Sequence, residues 1–252
     1  MCAGKNRRFA ESAIRNGWLY GSQLPATVYA PIVFADQDYK KPRRAQYMAA
    51  LAQHRPETAT VLDLEHEHQL ETVLSWAEEA AQWARRVVII PKASGIIARL
   101  PRCIGGADVV LGYSVPTRYG GTTVPIWEFA GWPLHLLGGS PHAQMAYWCI
   151  LHNTPAPAWF SPRLQRFVQR WRMFGGQAEV VSADGNMAST MANGTRYNPA
   201  GAFWRLEPGL KGHWVNLKEI GRGDEHDAPY TAFELSMQHI MEQWQCLQNC
   251  TT

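Results

Sequence analysis

The sequence has no apolar run that approaches membrane-spanning length, and no apolar segment follows its polar, basic start at Lys5, Arg7 and Arg8. Neither a transmembrane helix nor a secretory signal is therefore expected. Cysteine is sparse. Cys2, Cys103, Cys149, Cys246 and Cys250 fit neither the paired spacing of a zinc site nor a disulfide framework, and the odd count points to reduced thiols in a cytoplasmic protein. Cys246 and Cys250 stand at i, i+4, but two thiolates make no complete metal site. The phosphate loop G-x-x-x-x-G-K-[ST], the dinucleotide fingerprint G-x-G-x-x-G and the metalloprotease helix H-E-x-x-H are all missing. With them go the usual signatures of kinases, dehydrogenases and zinc proteases. There is no internal repeat and no low-complexity tract. Charge is scarce, at 18% of residues, and the formal net charge of +3 permits contact with nucleic acid without demanding it.

What the chain does have is apolar mass in an alternating order. With 252 residues, 46% of them hydrophobic, it can bury a large core. A helix is expected over residues 8–16, closed by Gly17, and an apolar strand over 28–35 that carries Pro31 and ends on Asp36-Gln37-Asp38-Tyr39. A helix over 43–53 follows, then a buried strand over 60–64 with Asp63 and Glu65, and a long helix over 69–85. Further strands are expected at 87–91, ending on Lys92, at 108–114, at 133–137 and at 178–183. Six apolar strands alternating with helices imply a parallel sheet whose strand C-termini share one end. At this length the α/β architecture predicted is a TIM-type (β/α) barrel, whether regular or incomplete and distorted, with two strands missing, degenerate or hidden near 17–23 and 202–206. A doubly wound open sheet is the alternative. The barrel core is set at 26–197. Residues 198–252 form an extension with Trp204, Trp214, Trp244, a Gly- and Asp-rich link and an amphipathic helix over 229–248 that packs on the barrel.

The most informative stretch is Trp132–His142, WPLHLLGGSPH. A short apolar strand runs into Gly138-Gly139, Ser140 suits a helix N-cap and Pro141 the first helical position. Amides at such a helix start attract anions, phosphate above all, so Gly138, Gly139 and Ser140 are either a phosphate site or a structural strand-to-helix turn.

The remaining candidates sit at strand ends and are acid-heavy: Asp36, Asp38, Asp63, Glu65 and Asp184, with Lys92, His135, His142 and Asn186. Carboxylates on separate strands of one barrel end converge on one pocket, where one can act as nucleophile or base and another can fix the substrate. Each also has a plainer reading. Asp184 before Gly185 suits a turn or cap, and Asp36 and Asp38 suit caps and surface charges. Asp63 is embedded in VLDLE, where an unpaired carboxylate is costly. His135 reads as a satisfied core histidine, and His66 and His68 as surface residues rather than a metal clamp. No metal and no cofactor are expected.

Two segments, Leu136–Pro141 (LLGGSP) and residues 180–194 (VVSADGNMASTMANG), resemble the end of the tRNA-guanine transglycosylase barrel. There, a strand with a glycine-rich phosphate turn precedes a strand that ends in the catalytic aspartate and a short helix closed by Asn-Gly. The chain is also similar to the shorter transglycosylase-like proteins of bacteriophages that insert 7-deazaguanine bases into DNA. The resemblance implies that Gly138, Gly139 and Ser140 meet a phosphate and that Asp184 is the nucleophile. Asp36 or Asp63 would then accept hydrogen bonds from the base. Tyr113 and Tyr119 would stack on or wedge the nucleic acid, Arg118 and Lys92 would hold its backbone, and His142 and Asn186 would complete the contact set. The Cys/His zinc site of the tRNA enzymes is absent here, which favours DNA over tRNA as the partner, alongside a free modified purine base. Such a protein acts in the cytoplasm, that of the host if phage-encoded. Two rivals stand beside this reading. One is a phosphate-binding barrel enzyme on a small sugar phosphate or nucleotide, with Lys92 as amine catalyst or phosphate ligand. The other is a non-catalytic nucleotide- or nucleic-acid-binding module.

Overall fold

A computed structural model of the chain describes residues 2–3, 6–117, 120–175, 178–184 and 228–249. Its centre is one sheet whose strands follow one another in sequence order. They are β1 (Cys2–Ala3), β2 (Tyr20–Leu24), β3 (Phe34–Gln37), β4 (Thr58–Leu64), β5 (Arg86–Pro91), β7 (Ala107–Ser114), β8 (Pro133–Leu137) and β9 (Glu179–Ala183), each parallel to the next. The two-residue β6 (Cys103–Ile104) pairs antiparallel with β7 alone. Helices α1 (Arg7–Arg15), α2 (Arg44–His54), α3 (Leu70–Ala80), α4 (Pro141–Leu151) and α5 (Pro162–Gly175) lie between strands, and α6 (Ala228–Asn249) closes the described chain. An order without reversal disfavours the doubly wound alternative, in which strand order turns back at a switch point.

The sheet is curled. Phe34 on β3 and His135 on β8 stack with ring centroids 4.6 Å apart, although β4, β5 and β7 lie between their strands. In a flat sheet, four steps of strand spacing would separate them by about 19 Å. The curl makes a half-barrel, compatible with a distorted barrel. Its concave face holds a small apolar cluster of Phe34, Val88, Ile90 and Val110, flanked by Leu137 and Val181. The larger core fills the space between the convex face and the helices, with Leu51, Val73, Leu111, Leu134, Met145 and Phe233 fully buried in it.

Local chemistry explains the elements. The ladder of β3 begins only at Phe34 instead of residue 28, because Pro31 has no amide to donate; Val33, which follows, is the first to bond, through its N–H to the Tyr20 carbonyl at 2.9 Å. This shift moves Asp36 from a loop into the strand. Helix α3 buries Leu70, Val73, Trp76, Ala77 and Ala80 on one face and stops at Ala80, short of residue 85, where Trp83 N–H reaches back to Ala80 and the chain turns into β5. Strand β2 lies where a hidden strand was expected, whereas 202–206 and the helix expected after Asp184 lie outside the described residues. Helix α6 lies against α1: the Phe233 ring meets Phe9 in a tilted contact at 4.5 Å, and the Trp18 indole donates to the Met237 carbonyl at 2.9 Å. No helix among the described residues is long and apolar enough to cross a membrane.

Candidate functional site

Strand register decides which side chains reach the concave face. Phe34 and Asp36 alternate onto it from β3, and Thr60 joins them from β4. Beyond Thr60, β4 carries one extra residue against β5, so that Asp63 pairs with Ile90, whose side chain belongs to the inner cluster. A regular strand would have turned Asp63 outward. Strand β9 repeats the device: one extra residue between Val180 and Ser182 sets Ser182 opposite His135, and Asp184 follows with its N–H on the Leu136 carbonyl at 3.0 Å.

Three carboxylates are thereby brought together, since the charges of Asp184 and Asp63 both act on Asp36. Asp36 is half-buried, and its Oδ1 accepts the Thr60 hydroxyl at 2.7 Å while Thr60 Oγ1 accepts the Gln37 amide at 3.0 Å. Burial pushes the Asp36 carboxyl up to about 6; Asp184 and Asp63 add to the rise, and the Thr60 hydroxyl and Gln37 amide oppose it. Asp63 has a partner after all: Lys92 Nζ lies 2.6 Å from its Oδ2, the two side chains being 25% and 18% exposed. Lys92 is therefore committed to a carboxylate, which takes away the free amine that a phosphate ligand or amine catalyst requires.

Asp184 is held from below by the Gly-Gly turn. Gly138 N–H donates to its Oδ1 at 2.8 Å, and the Gln144 amide donates to its backbone carbonyl at 2.7 Å and to the Gly138 carbonyl at 2.9 Å, with Oδ1 at 3.3 Å. Burial raises the Asp184 carboxyl against the pull of these donors. The turn itself forms as the sequence predicts. Gly138 and Gly139 have φ of +64° and +72°, and Ser140 caps α4 by accepting the Ala143 amide at 3.2 Å, with Pro141 in the first turn. A side chain at Gly139 would meet Val115 Cγ1 at 2.8 Å. The Gly138 amide, however, serves Asp184 rather than standing open to a phosphate.

Below the carboxylates lies His135, fully buried, its Nδ1 2.7 Å from Ser182 Oγ. Burial lowers its pKa to about 3, so the ring is neutral. Its Nε2 has no hydrogen-bond partner among the described residues, so this histidine is not the satisfied core residue that the sequence suggests.

Two expected contacts are not at this site. Tyr113 is 3% exposed on the convex side, edge-on to Phe129 at 5.1 Å and beside Tyr147, because the parity that turns Gly112 inward turns Tyr113 toward the helices. It is not available to stack on a nucleic acid. His142 sits in the first turn of α4 facing the helical layer, with Nε2 3.0 Å from Gln243 on α6 and its ring 5.7 Å from Trp159. Arg118, Tyr119 and Asn186 lie outside the described residues. His66 and His68 stack on each other at 5.4 Å, and no cluster of His, Cys, Asp or Glu among the described residues could hold a metal ion. The residue missed most plainly is Gln144. Its signal was a long polar side chain within the apolar helix AQMAYWCIL, where a buried amide has to find partners.

A protein-family model described as "Family of unknown function (DUF6610)" matches residues 13–245. No curated protein and no solved structure matches the chain.

Proposed function

The chain belongs to this family of unknown function, and from its own residues we propose that it is a base-exchange glycosyltransferase that replaces guanine in DNA with a free 7-deazaguanine-type base. We read the curled sheet as a distorted TIM-type barrel working in the cytoplasm, in keeping with the likeness to phage transglycosylases. The observation that carries the reading is the meeting of Asp184 and Asp36 from strands five places apart, one clamped in orientation and the other able to hold a proton near neutral pH.

In this mechanism the Asp184 carboxylate attacks the sugar C1′ as the C1′–N9 bond breaks, through an oxocarbenium-like transition state. The proton on Asp36 passes to the departing guanine, and a C1′–O ester links sugar to enzyme. The incoming base then attacks C1′ through its ring nitrogen, gives the N–H proton to Asp36 and frees Asp184. Asp63, ion-paired with Lys92, adds to the rise that helps keep Asp36 protonated. The sugar-phosphate reading is less well supported, since Lys92 and the Gly138 amide are both engaged by carboxylates.

The test is incorporation of radiolabelled guanine, or of a 7-deazaguanine precursor, into double-stranded DNA, single-stranded DNA or tRNA. Exchange into DNA is expected, and its loss in D184N, whose carboxamide oxygen can still accept the Gly138 amide and preserve the fold. Undiminished exchange in D184N, or no incorporation into any acceptor, would sink the proposal.

A further inference from the structure

The loop that leaves β3 directly beyond Asp36 carries chemistry that the carboxylate site does not use. Residues 38–44 read Asp-Tyr-Lys-Lys-Pro-Arg-Arg, four cations against one carboxylate, a net +3 that equals the formal charge of the entire chain. The remaining residues therefore sum to zero, with a second cationic segment in α5, which carries Arg163, Arg166, Arg170 and Arg172 and no carboxylate. Arg44 is engaged, with Nε 2.7 Å from Glu79 on α3. Lys40, Lys41 and Arg43 are exposed and have no ion-pair partner among the described residues. Tyr39 is 62% exposed, with Lys40 Nζ 5.7 Å from its ring centroid. Asp38 fixes the shape: its Oδ1 accepts the Lys40 amide at 3.1 Å and the Lys41 amide at 3.4 Å, and its carbonyl accepts the Lys41 amide at 3.1 Å. An ordered turn thus presents an exposed aromatic ring about 10 Å of chain from Asp36, followed by three cations with no ion-pair partner, of which Arg43 donates to Gln46 Oε1 at 3.4 Å.

We propose that this loop is the docking platform for single-stranded DNA flanking the nucleotide that enters the site, with Tyr39 stacking on the neighbouring base and Lys40, Lys41 and Arg43 on its phosphates. An exposed aromatic face interleaved with cations is the recurring means of holding unpaired strands, because every base offers a π-face and every linkage a charge. A duplex offers no free base face to Tyr39, whereas a strand whose target base has left the stack does. The inference rests on the nucleic-acid reading of the site but concerns a different set of residues.

The test is fluorescence anisotropy of the full chain with a labelled guanine-containing oligodeoxynucleotide across a salt series. Y39A should weaken binding roughly tenfold. K40Q/K41Q should flatten the slope of log K against log salt by about 1.4, and K40R/K41R should restore it. R166Q/R170Q, which removes the same charge from the exposed face of α5, is the control and should bind as wild type. Wild-type affinity in the loop variants, or an equal loss in the α5 control, overturns the proposal. Tighter binding of the same sequence as RNA overturns the choice of DNA. Loop-dependent binding without base exchange would leave this inference standing and defeat the catalytic one; exchange with loop-independent binding would do the reverse.

Discussion

Asp36 offers the sharpest quantitative check, because its environment makes a stability prediction whose sign is fixed. Its carboxyl rises from an ordinary 3.8 to about 6 on folding, chiefly through burial. Below about pH 4 the side chain is protonated in folded and unfolded chains alike and costs nothing. Between about pH 4 and 6 the unfolded chain ionises while the folded one keeps its proton, so stability is lost at about 1.4 kcal/mol per pH unit. Above about 6 the loss is complete, at about 3 kcal/mol, a sizeable part of the 5–15 kcal/mol typical of a domain. D36N keeps an oxygen for the Thr60 hydroxyl but cannot ionise. Urea denaturation of wild type and D36N should give equal stabilities at pH 4 and a D36N advantage of about 3 kcal/mol at pH 8, or roughly 6–12 °C in melting temperature. Because Asp184 contributes to the shift, D184N should lower the upper edge of the window and shrink the loss, leaving the lower edge near pH 4 in place. Base exchange that needs the Asp36 proton should decline as pH rises past about 6. A D36N advantage as large at pH 4 as at pH 8, or none at either, would refute the assignment of a buried, proton-holding carboxyl.

Two further predictions concern the clamp under Asp184. Q144L leaves the Gly138 and Asp184 carbonyls without their side-chain donor, and should cost about 1–3 kcal/mol in a urea melt while lowering kcat for exchange more than it raises KM. G138A faces open space and should cost only the about 1–2 kcal/mol of a left-handed residue; G139A adds a clash with Val115 and should cost more, with V115A in the same chain recovering part of the difference.

Much of this arrangement is written plainly in the sequence. The LLGGSPH stretch yields strand, left-handed turn, N-cap and helix in order, because each residue has a strong local preference that agrees with the next. Asp36, Asp63 and Asp184 were each identifiable as strand-end acids, and parallel topology sends them to the same end. Tyr113 went wrong for a reason that no local signal reveals. Inside a run as apolar as DVVLGYS, both faces of the strand are covered, so hydrophobicity does not say which residues point to the concave face and which to the helices. The Asp63–Lys92 pair has no local signal, because Lys92 stands just beyond the end of the next strand and only register brings Nζ to Oδ2.

The two irregularities in the sheet carry this argument furthest. In a strict alternation Asp63 would share a face with Val61, and Asp184 with Val180, in both cases the convex side filled by apolar core. An ionised carboxylate there would lose its hydration with no cation or amide to replace it, at a cost large enough to cancel a substantial part of the fold's stability. One inserted residue in β4 and one in β9 turn both side chains through the sheet, to Lys92 in the first case and to the Gly138 amide in the second. Each bulge gives up part of a ladder to place one acid, and the chain does this twice on strands that face one another across the same concavity. Structural economy alone would have been served by an apolar residue at either position. That the fold twice accepts a broken ladder and a partly desolvated carboxylate, at Asp63 and at Asp184, is the physical support for the proposal that these acids, with Asp36, form a working site.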